Sequence, residues 1–198
     1  MIEVHIQNLE GVWFGVACDQ EQIVASSFSP SQQTTLSNIL AIIPFNTPFQ
    51  VSDEPSALAK EALASLKKIY DGENVDTSFP LAYAPLPPYT QKVLKATLQV
   101  PPGYVTSYGL IAKAVGGGAR AVGNVMASNP FAPIVPCHRV VKSDLTLGGY
   151  GGGSRTKVEL LTREKRDFSS PIQVQIDGGT LAVFPVEFVL KKLPPIFF

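Results

Sequence analysis

The segment Pro136-Cys137-His138-Arg139-Val140 lies a short way downstream of Ala119-Arg120-Ala121-Val122-Gly123, a run of small residues around one arginine. The chain holds only two cysteines and two histidines, so this segment gathers its scarce nucleophilic chemistry at one point. A lone cysteine is commonly a small buried hydrophobe. Here Pro133 and Pro136 stiffen the approach, and an imidazole and a guanidinium follow directly. Positive potential and a nearby base lower a thiol pKa, which makes Cys137 a candidate nucleophile.

Working outward, helical periodicity predicts helices over residues 90–99, 107–115, 118–127 and 156–166, with a short strand over 138–142 and a turn at Ser143-Asp144. The two short helices joined by Gly116-Gly117-Gly118 fit a helix-turn-helix. Toward the N-terminus, Ile2, Val4 and Ile6 alternate with polar neighbours, and the runs 12–18 and 22–28 suggest two further strands of a small antiparallel sheet. Residues 31–43 read as helical. Asp53 is a candidate cap for a helix over 54–70, with Leu58, Ala62, Leu66 and Ile69 on one face and Gly72 beyond its end.

Pro80, Pro85, Pro87 and Pro88 rule out a regular helix over 80–88, because each proline removes a donor and restricts the residue before it. The expected organisation is an N-terminal α+β domain (1–79), a proline-rich linker (80–88), a second domain (89–168) and a C-terminal extension (169–198). In that extension Val174 and Ile176 alternate with Gln173, Gln175 and Asp177 ahead of Gly178-Gly179, which predicts a β-hairpin. The tail is expected to pack on the protein, since residues 193–198 would otherwise expose an apolar patch.

The 198 residues carry no net charge, but the cancellation is between halves. Residues 1–88 hold three lysines against ten acidic residues, net −7, and residues 89–198 hold thirteen Lys and Arg against six, net +7. The second half has the electrostatic footprint of a nucleic-acid binder. A hydrophobic content of 45% suffices for a real core. No apolar run approaches a membrane span, and the first residues lack a basic region before an apolar one, so a soluble, cytoplasmic protein is expected, or a nuclear one in a eukaryote. Two cysteines are too few for a disulfide framework, and a working thiol needs a reducing compartment.

Ser107-Tyr108, Ala119-Arg120-Ala121-Val122-Gly123, Asn129-Pro130, Pro136-Cys137-His138-Arg139-Val140-Val141 and Gly149-Tyr150 together resemble the O6-alkylguanine-DNA alkyltransferases over about residues 89–168. The implied fold is α+β: a small antiparallel sheet with a helix, then a mostly helical, winged-helix-like domain with a helix-turn-helix. The implied activity is single-turnover transfer of an alkyl group from guanine O6, and more slowly thymine O4, in double-stranded DNA to Cys137 after base flipping. No cofactor is implied, and a monomer is expected.

The resemblance also assigns parts. Cys137 is the nucleophile and permanent acceptor, His138 the base that takes its proton through a water, and Glu164 the carboxylate that orients the imidazole. Tyr108 donates a proton to the departing base, and Asn129 ties the recognition helix to the active-site turn. Thr106, Ser107, Gly118, Ala119, Arg120, Ala121 and Gly123 correspond to DNA-binding positions, and Pro136, Met126, Val140, Tyr150 and Gly151 to the substrate pocket. Gly118, Ala119, Ala121 and Gly123 carry no side-chain hydrogen-bonding groups, so this helix cannot read base edges in the major groove. Small residues suit a shallow minor-groove approach, with Arg120 filling the space a flipped nucleotide leaves.

The chain departs from the family pattern in three places. Gly151 stands where some members have a serine near the guanine oxygen, and the Gly116–118 turn is two residues shorter than in some relatives. His5 and Cys18 are the only zinc-type ligands in the N-terminal part, two short of a tetrahedral site, so no structural metal is expected. Two other readings stay open at this point. One is a non-catalytic protein that binds alkyl lesions; the other is a hydrolase using a Cys137-His138 dyad, for which no oxyanion-hole motif is apparent.

Overall fold

A computed structural model describes residues 1–197 of the chain, which divides into two compact units. The first comprises Met1–Tyr70, Val75–Pro85 and Pro130–Ile134; the second comprises Asp71–Asn74, Leu86–Asn129 and the residues from Val135 onward.

In the first unit, strands β1 (Ile2–Leu9), β2 (Val12–Cys18) and β3 (Ile23–Ser29) form an antiparallel meander. After helix α1 (Gln32–Leu40), the short strand β4 (Phe49–Val51) adds in parallel to β1, giving the order β3-β2-β1-β4. Strand β2 is buried on both faces, so its sequence is a continuous apolar run rather than an alternation. The reason is that helices cover both faces. Ala17 and Ala25 pack with Ile39 of α1, and a Cβ on Gly15 would stand 2.5 Å from Ile39 Cδ1. On the opposite side Phe14 stacks edge-on against Tyr70 of helix α2 (Ala57–Tyr70) at 5.6 Å. The two helices expected over 31–43 and 54–70 are thus both present, one on each face of the sheet.

Helix α2 also begins later than residue 54, and Asp53 is not its cap. Ser56 Oγ accepts from Ala59 N at 3.2 Å, while Ser52 Oγ engages Glu54 N in a turn ahead of Pro55. The proline-rich segment is not a free linker either. Pro80 O accepts from Ile23 N at 2.7 Å, Ala82 N donates to Ile23 O at 2.9 Å, and Leu81 is buried. Further along the same edge of β3, Ser26 N donates to Pro130 O and Ser26 Oγ to Ala132 O at 3.0 Å. These two segments cover an edge that would otherwise present unpaired backbone groups.

The second unit starts with α3 (Pro88–Leu98), followed by β5 (Tyr104–Ser107), α4 (Tyr108–Val115) and α5 (Ala119–Ala127). Cys137–Arg139 is a single 3-10 turn, and only Val140–Val141 (β6) is extended, so the expected strand over 138–142 shrinks to two residues. Arg139 N donates to Pro136 O and Cys137 N to Val135 O, bonds that close the turn in place of strand pairing. Helix α6 (Ser154–Arg163) follows, then β7 (Ile172–Ile176), β8 (Gly179–Pro185) and α7 (Val186–Leu190). The sheet order is β6-β5-β8-β7.

The tail joins the domain through β8, which pairs with β5, and through Val186 and Val189, which pack with Val105, Val141 and Leu161. Its last segment does not pack as expected: Ile196 is 76% exposed, and Phe198 lies outside the described residues. Among the described residues no helix is long and apolar enough to cross a membrane.

Candidate active site

The 3-10 turn decides the site's geometry. Successive residues of a strand would point to opposite faces; the turn instead buries Cys137, His138 and Arg139 together. His138 Nε2 lies 2.8 Å from Glu164 Oε1. Burial alone would raise the Glu164 carboxyl, but Arg139 and His138 outweigh it and hold it at about 2. An ionised carboxylate only accepts, so Nε2 carries the proton and the lone pair sits on Nδ1. Nδ1 is buried and has no hydrogen-bond partner among the described residues. Burial also lowers the imidazole pKa against the opposing pull of Glu164, so the ring is neutral and basic at neutral pH.

Arg139 does something different from what the sequence suggested. Its Nε reaches both Glu164 oxygens at 3.0 and 3.1 Å, its Nη2 reaches Oε1 at 2.7 Å, and its Nη1 donates to Val100 O at 2.6 Å. The guanidinium is spent on the carboxylate. The cation whose charge acts on the thiol is Lys157, on α6. Its Nζ is buried, donating to Val140 O at 2.6 Å and Gly149 O at 3.0 Å. Burial pulls its pKa down to about 8, with Cys137 pulling the other way. For Cys137 itself burial raises the thiol pKa, while Asn129 and Lys157 counteract. The sulfur is thus held as a neutral thiol.

Lys157 is the functional side chain that sequence reasoning missed, and the signal was available. Lys157, Leu160, Leu161 and Glu164 fall at i, i+3, i+4 and i+7 and all are buried, so a lysine in the apolar stripe of α6 and a glutamate at its C-cap continue one buried face. Charged residues in such a stripe need partners.

Asn129 Nδ2 donates to Val135 O at 2.8 Å, joining the end of α5 to the start of the cysteine turn. Tyr108 Oη donates to Gly149 O at 3.3 Å, so that carbonyl accepts from both Tyr108 and Lys157. Burial raises the Tyr108 pKa, as it does, more strongly, that of Tyr150, whose ring meets His138 edge-on at 6.5 Å. Pro136, Met126 and Val140 are buried, and a Cβ on Gly151 would meet nothing within 4 Å. A groove of about 510 Å³ on the outer side of α6, lined by Arg155, Val158, Glu159, Thr162 and Ile196, does not include Cys137.

Arg120, Ala119 and Gly118 are exposed at the start of α5, and Ala121 and Gly123 are half-buried. A Cβ on Gly118 or Gly123 would meet nothing within 4 Å, so no neighbour within the protein requires these glycines. Thr106 and Ser107 differ from expectation. Thr106 is fully buried with Oγ1 donating to Ala182 O at 2.9 Å, and Ser107 Oγ caps α4 by accepting from Leu110 N. Both hydroxyls are engaged in bonds within the protein. Among the described residues no group of three or more His, Cys, Asp or Glu is placed to hold a metal ion.

Residues 88–166 match the family model described as 6-O-methylguanine DNA methyltransferase, DNA binding domain. A methylated-DNA–protein-cysteine methyltransferase of Pyrobaculum aerophilum is 53% identical over 73 residues, which cover 37% of this chain and 49% of that one. One from Methanothermobacter thermautotrophicus is 35% identical over 114 residues, 57% of this chain and 64% of its own. The chain therefore spans about half to two thirds of the length of these curated relatives. Among solved structures, the O6-methylguanine-DNA methyltransferase of Pyrococcus kodakaraensis superposes with a TM-score of 0.64 at 29% identity, covering 83% of this chain and 99% of that one. Mycobacterium tuberculosis OGT in complex with DNA gives 0.65 at 27% identity, covering 82% and 92%. The α+β architecture is shared with these structures, and residues 88–166 are similar to the DNA binding domain of the 6-O-methylguanine DNA methyltransferases.

Proposed function

We propose that the protein repairs DNA by direct reversal, transferring an alkyl group from O6-alkylguanine, and more slowly O4-alkylthymine, to Cys137 in a single turnover. The observation that carries this reading is the buried His138: its Nε2 is held by an ionised Glu164 while Nδ1 keeps a free lone pair beside the thiol turn. His138 takes the thiol proton directly or through one water. The sulfur then attacks the alkyl carbon as the bond to O6 breaks, and the electron pair stays on guanine. Tyr108, whose raised pKa keeps its hydroxyl protonated, donates to the departing base, and the imidazolium proton returns to the phenolate through solvent. A thioether at Cys137 has no leaving group for these residues to activate, so each molecule acts once.

The lesion reaches the thiol by flipping out of the stack, at a cost of about a few kcal/mol that is smaller for a poorly paired base. In this reading α4 and α5 form a helix-turn-helix that enters the minor groove. The open space beside Gly118 and Gly123 lets the backbone approach closely, and exposed Arg120 fills the vacated position. Pro136, Met126, Val140, Tyr150 and Gly151 line the alkyl pocket; with Gly151, only a backbone amide faces the guanine oxygen. The protein acts as a monomer without a cofactor, in the cytoplasm, or in the nucleus of a eukaryote. The basic half of the chain faces the phosphates and the acidic half serves as scaffold.

The test is intact-protein mass spectrometry after incubation with a duplex carrying O6-methylguanine. One methyl group mapped to Cys137, and none in Cys137→Ala with DNA binding retained, is the expected result. Catalytic turnover, methylation of Cys18, or an unmodified protein in the presence of bound lesion would each overturn it.

A further inference from the structure

We propose that Tyr89 is a positioning residue that fixes the turn between α4 and α5 and thereby the direction in which Arg120 leaves the protein; this rests on the alkyl-transfer reading above. Gly116-Gly117-Gly118 has no side chain with which to set its own conformation, and glycine loses the most conformational freedom on ordering. Neither helix end adds a lock: Gly118 at the start of α5 makes no side-chain capping bond, and Gly116 ends α4 at a φ of +91°.

Tyr89, the second residue of α3, reaches this turn in two ways. Its Oη donates to Gly116 O at 3.1 Å. Its ring also lies against Gly117, where φ is +86° and a Cβ would stand 2.5 Å from Oη and 2.9 Å from Cζ. At Gly116 and Gly118, by contrast, a Cβ would meet nothing within 4 Å. The turn is held at its first residue by a hydrogen bond and at its second by close packing, both from one side chain. Arg120 follows two residues after Gly118, in the first turn of α5. An error in the turn's direction therefore passes to the residue that must enter the stack, without touching the thiol, the base or the pocket.

Tyr89→Phe keeps the ring and removes the hydrogen bond. Single-turnover transfer should slow about fivefold on a duplex carrying O6-methylguanine, the factor that goes with one hydrogen bond, and stay unchanged on free O6-benzylguanine, which needs no flipping. In an Arg120→Ala background, Tyr89→Phe should add no further slowing, because it acts through Arg120. Gly117→Ala, which pushes on the same contact from the other side, should show the same split between substrates with a larger duplex defect. Equal slowing on both substrates, an unchanged duplex rate, or an undiminished effect of Tyr89→Phe in the Arg120→Ala background overturns the assignment. A wild-type protein that accepts an alkyl group from neither substrate overturns the alkyl-transfer reading, and this one with it.

Discussion

His138 and Glu164 meet at 2.8 Å with both side chains buried, and the carboxylate that orients the imidazole is the same one that neutralises Arg139. In the proposed mechanism one group therefore serves catalysis and stability together. Glu164→Gln keeps a hydrogen-bonding side chain but leaves the Arg139 charge unpaired, at a cost of about 3 kcal/mol. For a chain of this size that is a fall in Tm of about 10 °C. Transfer should slow as well, because the neutral amide no longer supports the imidazolium. The acid limb of wild-type stability follows the same group. Its folded pKa, about 2, lies below the ordinary 4.5, so its contribution is complete above 4.5 and is lost as pH falls toward 2. A Glu164→Gln protein with wild-type Tm and single-turnover rate would make this carboxylate a bystander.

Lys157 gives a second pH signature of opposite sense. Its folded pKa, about 8, is below the ordinary 10.5, so between those values the unfolded chain binds more protons and stability rises with pH. Lys157→Met should remove that rise. At neutral pH its net effect on stability should be small, because relief of a buried charge offsets the lost donor to Val140 O, worth about 1–3 kcal/mol, while Gly149 O keeps its bond from Tyr108. Its rate should fall at pH 7, and the wild-type advantage should shrink as pH passes through about 8 and the wild-type lysine loses its charge. A wild-type to mutant rate ratio that stays constant from pH 7 to pH 9 would separate Lys157 from the thiol.

Much of the site was legible because its chemistry is local in sequence. Cys137, His138 and the Ala119–Gly123 run announce themselves by type and spacing, and the hairpin announces itself at Asp177-Gly178. What sequence could not supply was partner choice. Arg139 follows His138 and so invites a role on the sulfur, yet Glu164, far along the chain, claims its guanidinium. Proline content marked residues 80–88 as irregular, which holds up to Pro87 before α3 begins at Pro88, but irregular backbone can still pair, and Leu81 does so with Ile23. Strand β5 was hidden for the same reason: its four residues, from Tyr104 to the α4 cap Ser107, are too few to carry a periodicity, and their partners lie in β6 and in the tail.

Thr106 tests the inward orientation of that strand. Thr106→Val keeps the shape and removes the hydrogen bond from Oγ1 to Ala182 O. Stability should fall by about 1 kcal/mol, with the cost of an unpaired carbonyl included. DNA affinity and its salt dependence should not change. A loss of affinity without a loss of stability would return Thr106 to the DNA surface.

Arg120 separates binding from flipping. DNA affinity should fall with salt, because lysines and arginines of the C-terminal half displace phosphate counterions, and it should vary little with sequence, because Gly118, Ala119, Ala121 and Gly123 present no base-reading groups. The Arg120 side chain is exposed, so Arg120→Ala removes it without disturbing the core, and stability should stay within about 0.5 kcal/mol of wild type. Losing one cation on the DNA costs modest affinity. Losing the group that fills the gap lets the guanine return to the stack, which removes an interaction needed in the transition state. Single-turnover rates on the duplex and on free O6-benzylguanine should therefore diverge, with a large defect on the first and a near-normal rate on the second. Equal defects on both substrates would mean that Arg120 supports the pocket itself rather than the extruded strand.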